Sequence, residues 1–85
     1  MKKRSRIKIL GQWVNLEHVD LTKEGVHGDC DVEQRKIRIH IGLEGERYKR
    51  VLRHECEHMK FGLSGLVELL TPELEEALCT LAEVD

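Results

Sequence analysis

No stretch of this 85-residue sequence is apolar for long enough to cross a membrane, which removes a spanning role. The basic opening MKKRSRIKIL lacks the apolar core that a signal peptide needs, because Gly11, Gln12 and Asn15 interrupt the segment after it. A cytoplasmic location is therefore expected. The three cysteines, Cys30, Cys56 and Cys79, have neither zinc-ribbon spacing nor a CxxC redox pair, and an odd number cannot all pair within one chain. Reduced, partly buried thiols are the expectation. There is no repeat, no low-complexity segment and no linker, so residues 1–85 read as one domain around one modest core.

What is present is a soluble, globular composition, 40% hydrophobic and 35% charged. The formal net charge of −2 conceals an asymmetry between the ends. Lys2, Lys3, Arg4, Arg6 and Lys8 crowd the start, and Glu73, Glu75, Glu76, Glu83 and Asp85 crowd the finish. No aromatic residue interleaves the basic run, so it reads as a solvated terminus and nucleic acid is not an expected partner.

The hydrophobic period changes along the chain. RIKILGQWVNLEHV alternates loosely, with Gly11-Gln12 as a turn candidate, and reads as two short strands or one bent strand. Trp13 is expected in the core. Ile37, Ile39 and Ile41 alternate with Arg38 and His40 as a strand with one buried face, and Asp31 to Arg35 can close a hairpin back to Val26–Cys30. From about Glu46 the spacing of Tyr48, Val51, Leu52, Cys56 and Met59 becomes helical, ending near Gly62. A second helix starts with Thr71 as N-cap, Pro72 at its first position and glutamates in its first turn. Leu74, Ala77, Leu78, Leu81 and Val84 form its expected apolar stripe. The expected fold is α+β: a small antiparallel sheet of about three strands, followed by two helices packed on it.

The first helix carries His54, Glu55 and His58 in the pattern HExxH. Residues four apart share a helix face, so both imidazoles can address one tetrahedral ion. Glu55 lies about 100° round from His54 and flanks that face, where it can reach a water on the ion. A third protein ligand is required if one position is to stay open. The second helix offers Glu75 and Glu76. Glu75 sits at the edge of the apolar stripe, in line with Cys79 and Ala82, while Glu76 points further towards solvent, so Glu75 is preferred and Glu76 is the alternative. Cys79 is a competing soft ligand that reads more simply as a small buried residue. Cys56 points away from the metal face and packs inward, and Glu57 points away into solvent. His18, His27 and His40 read as surface or strand-edge residues, and Tyr48 is a distant candidate for oxyanion stabilisation.

With LGQWVNLEHVD, GDCDVEQRKIRIHIG, RVLRHECEHMKFGLSG and ELEEALCTLA in view, the chain resembles the small ImmA/IrrE-like zinc metallo-endopeptidases of the HExxH, gluzincin type, especially the short forms of phages and prophages. The resemblance implies an HExxH helix beside a small antiparallel sheet. It implies ligand roles for His54 and His58 and a base role for Glu55. The third ligand would come from a glutamate of the following helix, with the register open between Glu75 and Glu76. Cys56 and Glu57 stand where many such proteins have apolar residues.

The expected function is zinc-dependent hydrolysis of a peptide bond in a protein or peptide substrate, through a zinc-bound water activated by Glu55. The alternative is a non-catalytic, zinc-stabilised interaction module of phage origin. A phage or prophage source would place the protein in the cytoplasm of a bacterial host.

Overall fold

The computed structural model describes residues 3–84. Lys2 and Asp85, members of the two charged ends, lie outside the described residues, as do the side chains of Lys3 and Arg4. The chain is α+β. Strands β1 (Lys3–Ile9), β2 (Gln12–Val19), β3 (Gly28–Asp31) and β4 (Lys36–His40) precede helices α1 (Gly45–Ser64) and α2 (Pro72–Ala82). Single 3₁₀ turns at Thr22–Glu24 and Leu66–Leu69 fill two of the connections. No helix among the described residues is long and apolar enough to cross a membrane.

β1 and β2 form a hairpin in which Ile9 faces Gln12. Its two turn residues are Leu10 (φ 50°) and Gly11 (φ 77°), one position earlier than Gly11-Gln12. Positive φ at both positions marks the tight turn whose twist matches its strands. The β3–β4 hairpin closes through residues 32–35, where the Asp31 carboxylate accepts the Gln34 N–H at 3.0 Å.

The sheet corrects the expected one in two respects. It has four strands in the order β1-β2-β4-β3, and its central pair, β2 and β4, is parallel. The second hairpin inserts its later strand beside β2 and leaves the earlier one at the edge. Burial explains the choice. Ile37 and Ile39 of β4 are fully buried and take the interior position, whereas β3 is short and carries Gly28, Asp29 and Asp31, residues suited to an edge. Asp29 and Glu24 both pair with Arg38 on the outer face.

One face of the sheet holds the core: Ile9, Val14, Leu16, Ile37 and Ile39, closed by Met59 of α1. Val51, Leu52, Cys56 and Tyr48 pack at its border. Trp13 is not in this core. Strand alternation sends Val14 and Leu16 inward, so Trp13 points out and stays 52% exposed.

α2 starts as expected, with the Thr71 hydroxyl accepting the Leu74 N–H at 3.1 Å and Pro72 at the first turn. Its buried side is not the expected stripe. Leu74, Leu81 and Val84 are exposed, and the side turned inward carries Cys79, Glu75, Leu78 and Ala82. The carboxylates of this helix engage the histidines of α1, and that contact sets its rotation in place of the leucines.

Gly62 near the end of α1 allows the helix to press on the β3–β4 turn, because a Cβ there would collide with the Val32 side chain. Alanine is the better helix former by about 1 kcal/mol, yet Gly62→Ala is expected to destabilise the protein by about 1–3 kcal/mol through overpacking. Chemical denaturation of Gly62→Ala, Val32→Ala and the double variant checks this. The double variant should recover most of the loss, and additive losses would contradict the contact.

Candidate metal centre

The centre is assembled by two helices. The α1 spacing puts His54 and His58 one turn apart on the side facing α2, with ring centroids 4.9 Å apart. The N-cap at Thr71 fixes where α2 begins, and so places Glu75 and Glu76 opposite the imidazoles. His54 Nε2 and His58 Nε2 are 3.2 Å apart. Glu76 Oε1 lies 3.2 Å from the first and 3.1 Å from the second. A tetrahedral ion at roughly 2.0–2.1 Å from each donor requires donors about 3.3–3.4 Å apart. The triangle is within a few tenths of an ångström of that demand.

The other ring nitrogens are also engaged. His54 Nδ1 lies 2.7 Å from Glu83 Oε2, and His58 Nδ1 lies 2.5 Å from Glu75 Oε2. An imidazole that donates its Nδ1–H to a carboxylate presents a lone pair at Nε2. Two such lone pairs and a carboxylate oxygen then converge on one point. That arrangement is repulsive unless a proton or a cation lies among them. Burial works against a charged His54, but the Glu83 hydrogen bond and the charges of Glu76 and Glu55 outweigh it and raise its proton affinity. The same field favours any cation at the centre.

The two helices treat the expected residues differently. His54 and His58 come together on one point. Glu76, the alternative third donor, completes the triangle, while Glu75, the preferred one, meets the far side of His58 instead. Glu75 is indeed the more buried of the two, its side chain 17% exposed against 60% for Glu76. Burial simply does not select the donor here, because the Nε2 atoms look towards the solvent-side carboxylate. Glu55 is buried, and its carboxyl is pushed above the usual range by burial, against the pull of His54 and His58.

Glu55 sits in a groove of about 530 Å³ that also exposes His54, His58 and Glu76 and is bordered by Gly28 and Cys30 of the edge strand. Gly28 permits the close approach of strand and helix. A Cβ there would lie 2.8 Å from Val51 Cγ1 and 3.3 Å from Glu55 Cγ. Tyr48 does not border this groove; its hydroxyl is 2.7 Å from His18 Nε2. His40 Nδ1 accepts the Leu21 N–H at 3.0 Å, and His27 is exposed. Cys56 packs against the core as expected, and Glu57 pairs with Lys60 at 2.9 Å.

Sequence reasoning missed Glu83. Its main-chain carbonyl accepts the Arg53 guanidinium at 2.9 Å while its carboxylate holds His54. The signal existed, because Glu83 lies seven residues after Glu76, close to two helical turns.

A second donor set, His58, Glu75 and the Cys79 thiol, has ligand atoms within 4.8 Å of one another. It is a poorer cradle. Glu75 is already satisfied by His58, and burial pushes the metal-free Cys79 thiol up to about 12, so a metal there would have to displace its proton. Comparison with protein-family models finds no match, and comparisons with curated proteins and with solved structures find none either.

Cys30 is likewise pushed up to about 12 by burial, and Cys56 is raised by burial too. All three thiols are therefore expected to react slowly with iodoacetamide at neutral pH in the folded chain and fully after denaturation. Mass spectrometry of the alkylated protein checks this, and rapid native labelling of Cys30 would show a more open groove.

Proposed function

We propose that this chain is a minimal zinc-dependent endopeptidase, with His54, His58 and Glu76 as metal ligands and Glu55 as the general base. The observation that carries the reading is the near-equilateral triangle of His54 Nε2, His58 Nε2 and Glu76 Oε1 beside a buried carboxylate in an open groove. The HExxH pattern and the resemblance to ImmA/IrrE-like peptidases support the same assignment.

Zinc, when bound, would supply Lewis acidity that no side chain offers. The rest of the chemistry belongs to the chain. Glu55 takes a proton from the attacking water and delivers it to the leaving amine. Its raised proton affinity, caused by burial, suits a carboxylate that must accept and then donate. Glu83 and Glu75 hold the two imidazoles by their Nδ1 atoms, fixing tautomer and orientation. Among the described residues β3 pairs only with β4, so its outer edge can accept an extended peptide as an added strand and carry it past Glu55.

A non-catalytic, zinc-stabilised interaction module is the second reading. The exposed Leu74 and Leu81 on one face of α2, with the exposed Val84 just beyond its end, favour it, because such apolar residues suit a partner. Glu55→Gln separates the two readings. The peptidase reading expects retained zinc and lost cleavage of an unstructured protein substrate, followed by gel and mass spectrometry. Zinc-loaded wild-type protein that cleaves no member of a broad peptide library would favour the module.

Zinc titrations against a competing chelator test the ligand assignment. Glu75→Ala and Glu83→Ala should each weaken binding roughly 10–100-fold, as outer carboxylates do. Glu76→Ala should weaken it more than either. Metal removal should also lower the melting temperature, by about 10 °C or more for a small domain that loses some 2–3 kcal/mol of ligand binding. An unchanged melt with and without zinc would contradict a metal held only by the folded state.

A further inference from the structure

The outer face of the sheet plays no part in the groove chemistry, since the groove and the helices occupy the other side. Near the β1–β2 turn this face carries an aromatic ring set among cations. Trp13 is 52% exposed. The Arg6 guanidinium lies 4.6 Å from its ring centroid, and the Lys8 ammonium 5.3 Å away. The antiparallel register causes this: Lys8 faces Trp13 and Arg6 faces Asn15 across the hairpin. On the far side of β2, Asn15 faces Lys36, whose chain neighbour Arg35 reaches Gln12 at 2.8 Å.

The acidic groups of the outer face lie towards its other end and its β3 edge. Glu17 faces Arg38, which is itself neutralised by Asp29 and Glu24, and Asp31 faces Lys36. Arg6 and Lys8 thus flank one exposed ring, and Asn15, next on the same face of β2, has Lys36 across from it.

We propose that this half of the outer face is a binding site for single-stranded nucleic acid. The chemistry selects that ligand among polyanions. Phosphates suit Arg6 and Lys8, with Lys36 beyond Asn15, whereas an acidic peptide has no use for the ring. A flat indole can stack an unpaired base, which a duplex keeps inside its own stack. Arg6 already lies over the ring, so an incoming base can take its place and release the guanidinium to a phosphate. Side-chain amides can hydrogen-bond base edges. The basic segment reads as a plain solvated terminus in one dimension because no aromatic interrupts it. In the sheet, the neighbouring strand supplies the missing aromatic.

Trp13 is the only tryptophan, so its emission reports this site alone. The test titrates the full chain, with zinc and with chelator, with a labelled oligothymidylate about a dozen nucleotides long. Saturable quenching of Trp13 is expected at low salt, equally with and without zinc. The dependence of log affinity on log salt should have a slope of about −1.5 to −2, as two or three phosphate contacts require. Followed by anisotropy of the label, Trp13→Leu should lose roughly tenfold or more, the worth of one stacked base. Arg6→Gln with Lys8→Gln should flatten the salt slope. The proposal is overturned by absence of binding at low salt, by unchanged affinity in Trp13→Leu, or by equal quenching with polyglutamate, duplex DNA or anionic vesicles. Because the groove is not involved, loss of this site would leave zinc binding intact, and Glu76→Ala would leave oligonucleotide binding intact.

Discussion

The structure depends on one electrostatic constraint: four carboxylates, Glu55, Glu75, Glu76 and Glu83, crowd around two imidazoles at the interface of α1 and α2. With neutral imidazoles this cluster is strongly anionic, and three of its electron pairs point at a common centre. A cation resolves the conflict; without one, protons must serve, and the raised proton affinity of His54 reflects that demand. The same contacts orient α2. Its inward face is chosen by where carboxylates meet imidazoles, and its leucines are left outside. In so small a chain a metal bound there would be both a site and a part of the core's closure.

Much of this was legible in the sequence, and the limits have physical reasons. Helix spacing alone brings His54 and His58 together, and Thr71-Pro72 marks the start of α2, because both are local rules carried by a few adjacent residues. Strand alternation correctly identified Ile37 and Ile39 as inward. It would also have placed Trp13 outside had its parity been counted from Val14 and Leu16 rather than from its hydrophobicity. The parallel pairing of β2 with β4 was not legible, since nothing local records which strand of a hairpin docks beside an earlier one.

The choice between Glu75 and Glu76 shows the same limit at finer scale. A helical wheel ranks burial, and its ranking of burial was correct. Ligand geometry depends on which imidazole nitrogen faces which carboxylate, and that is decided by the far-side contacts of Glu75 and Glu83. The far-side contacts of Glu75 and Glu83 turn both Nε2 atoms towards Glu76, and the spacing of Glu83 from Glu76 takes on meaning once α2 is placed against Arg53 and His54.

The most direct test of the central claim is X-ray absorption at the zinc edge of the zinc-loaded chain. The expected result is one zinc per chain with nitrogen and oxygen neighbours at roughly 2.0–2.1 Å, two of them imidazoles, and no sulfur. A sulfur neighbour at roughly 2.3 Å would move the ion to the Cys79 side of His58, and failure to bind zinc at all would contradict the claim outright.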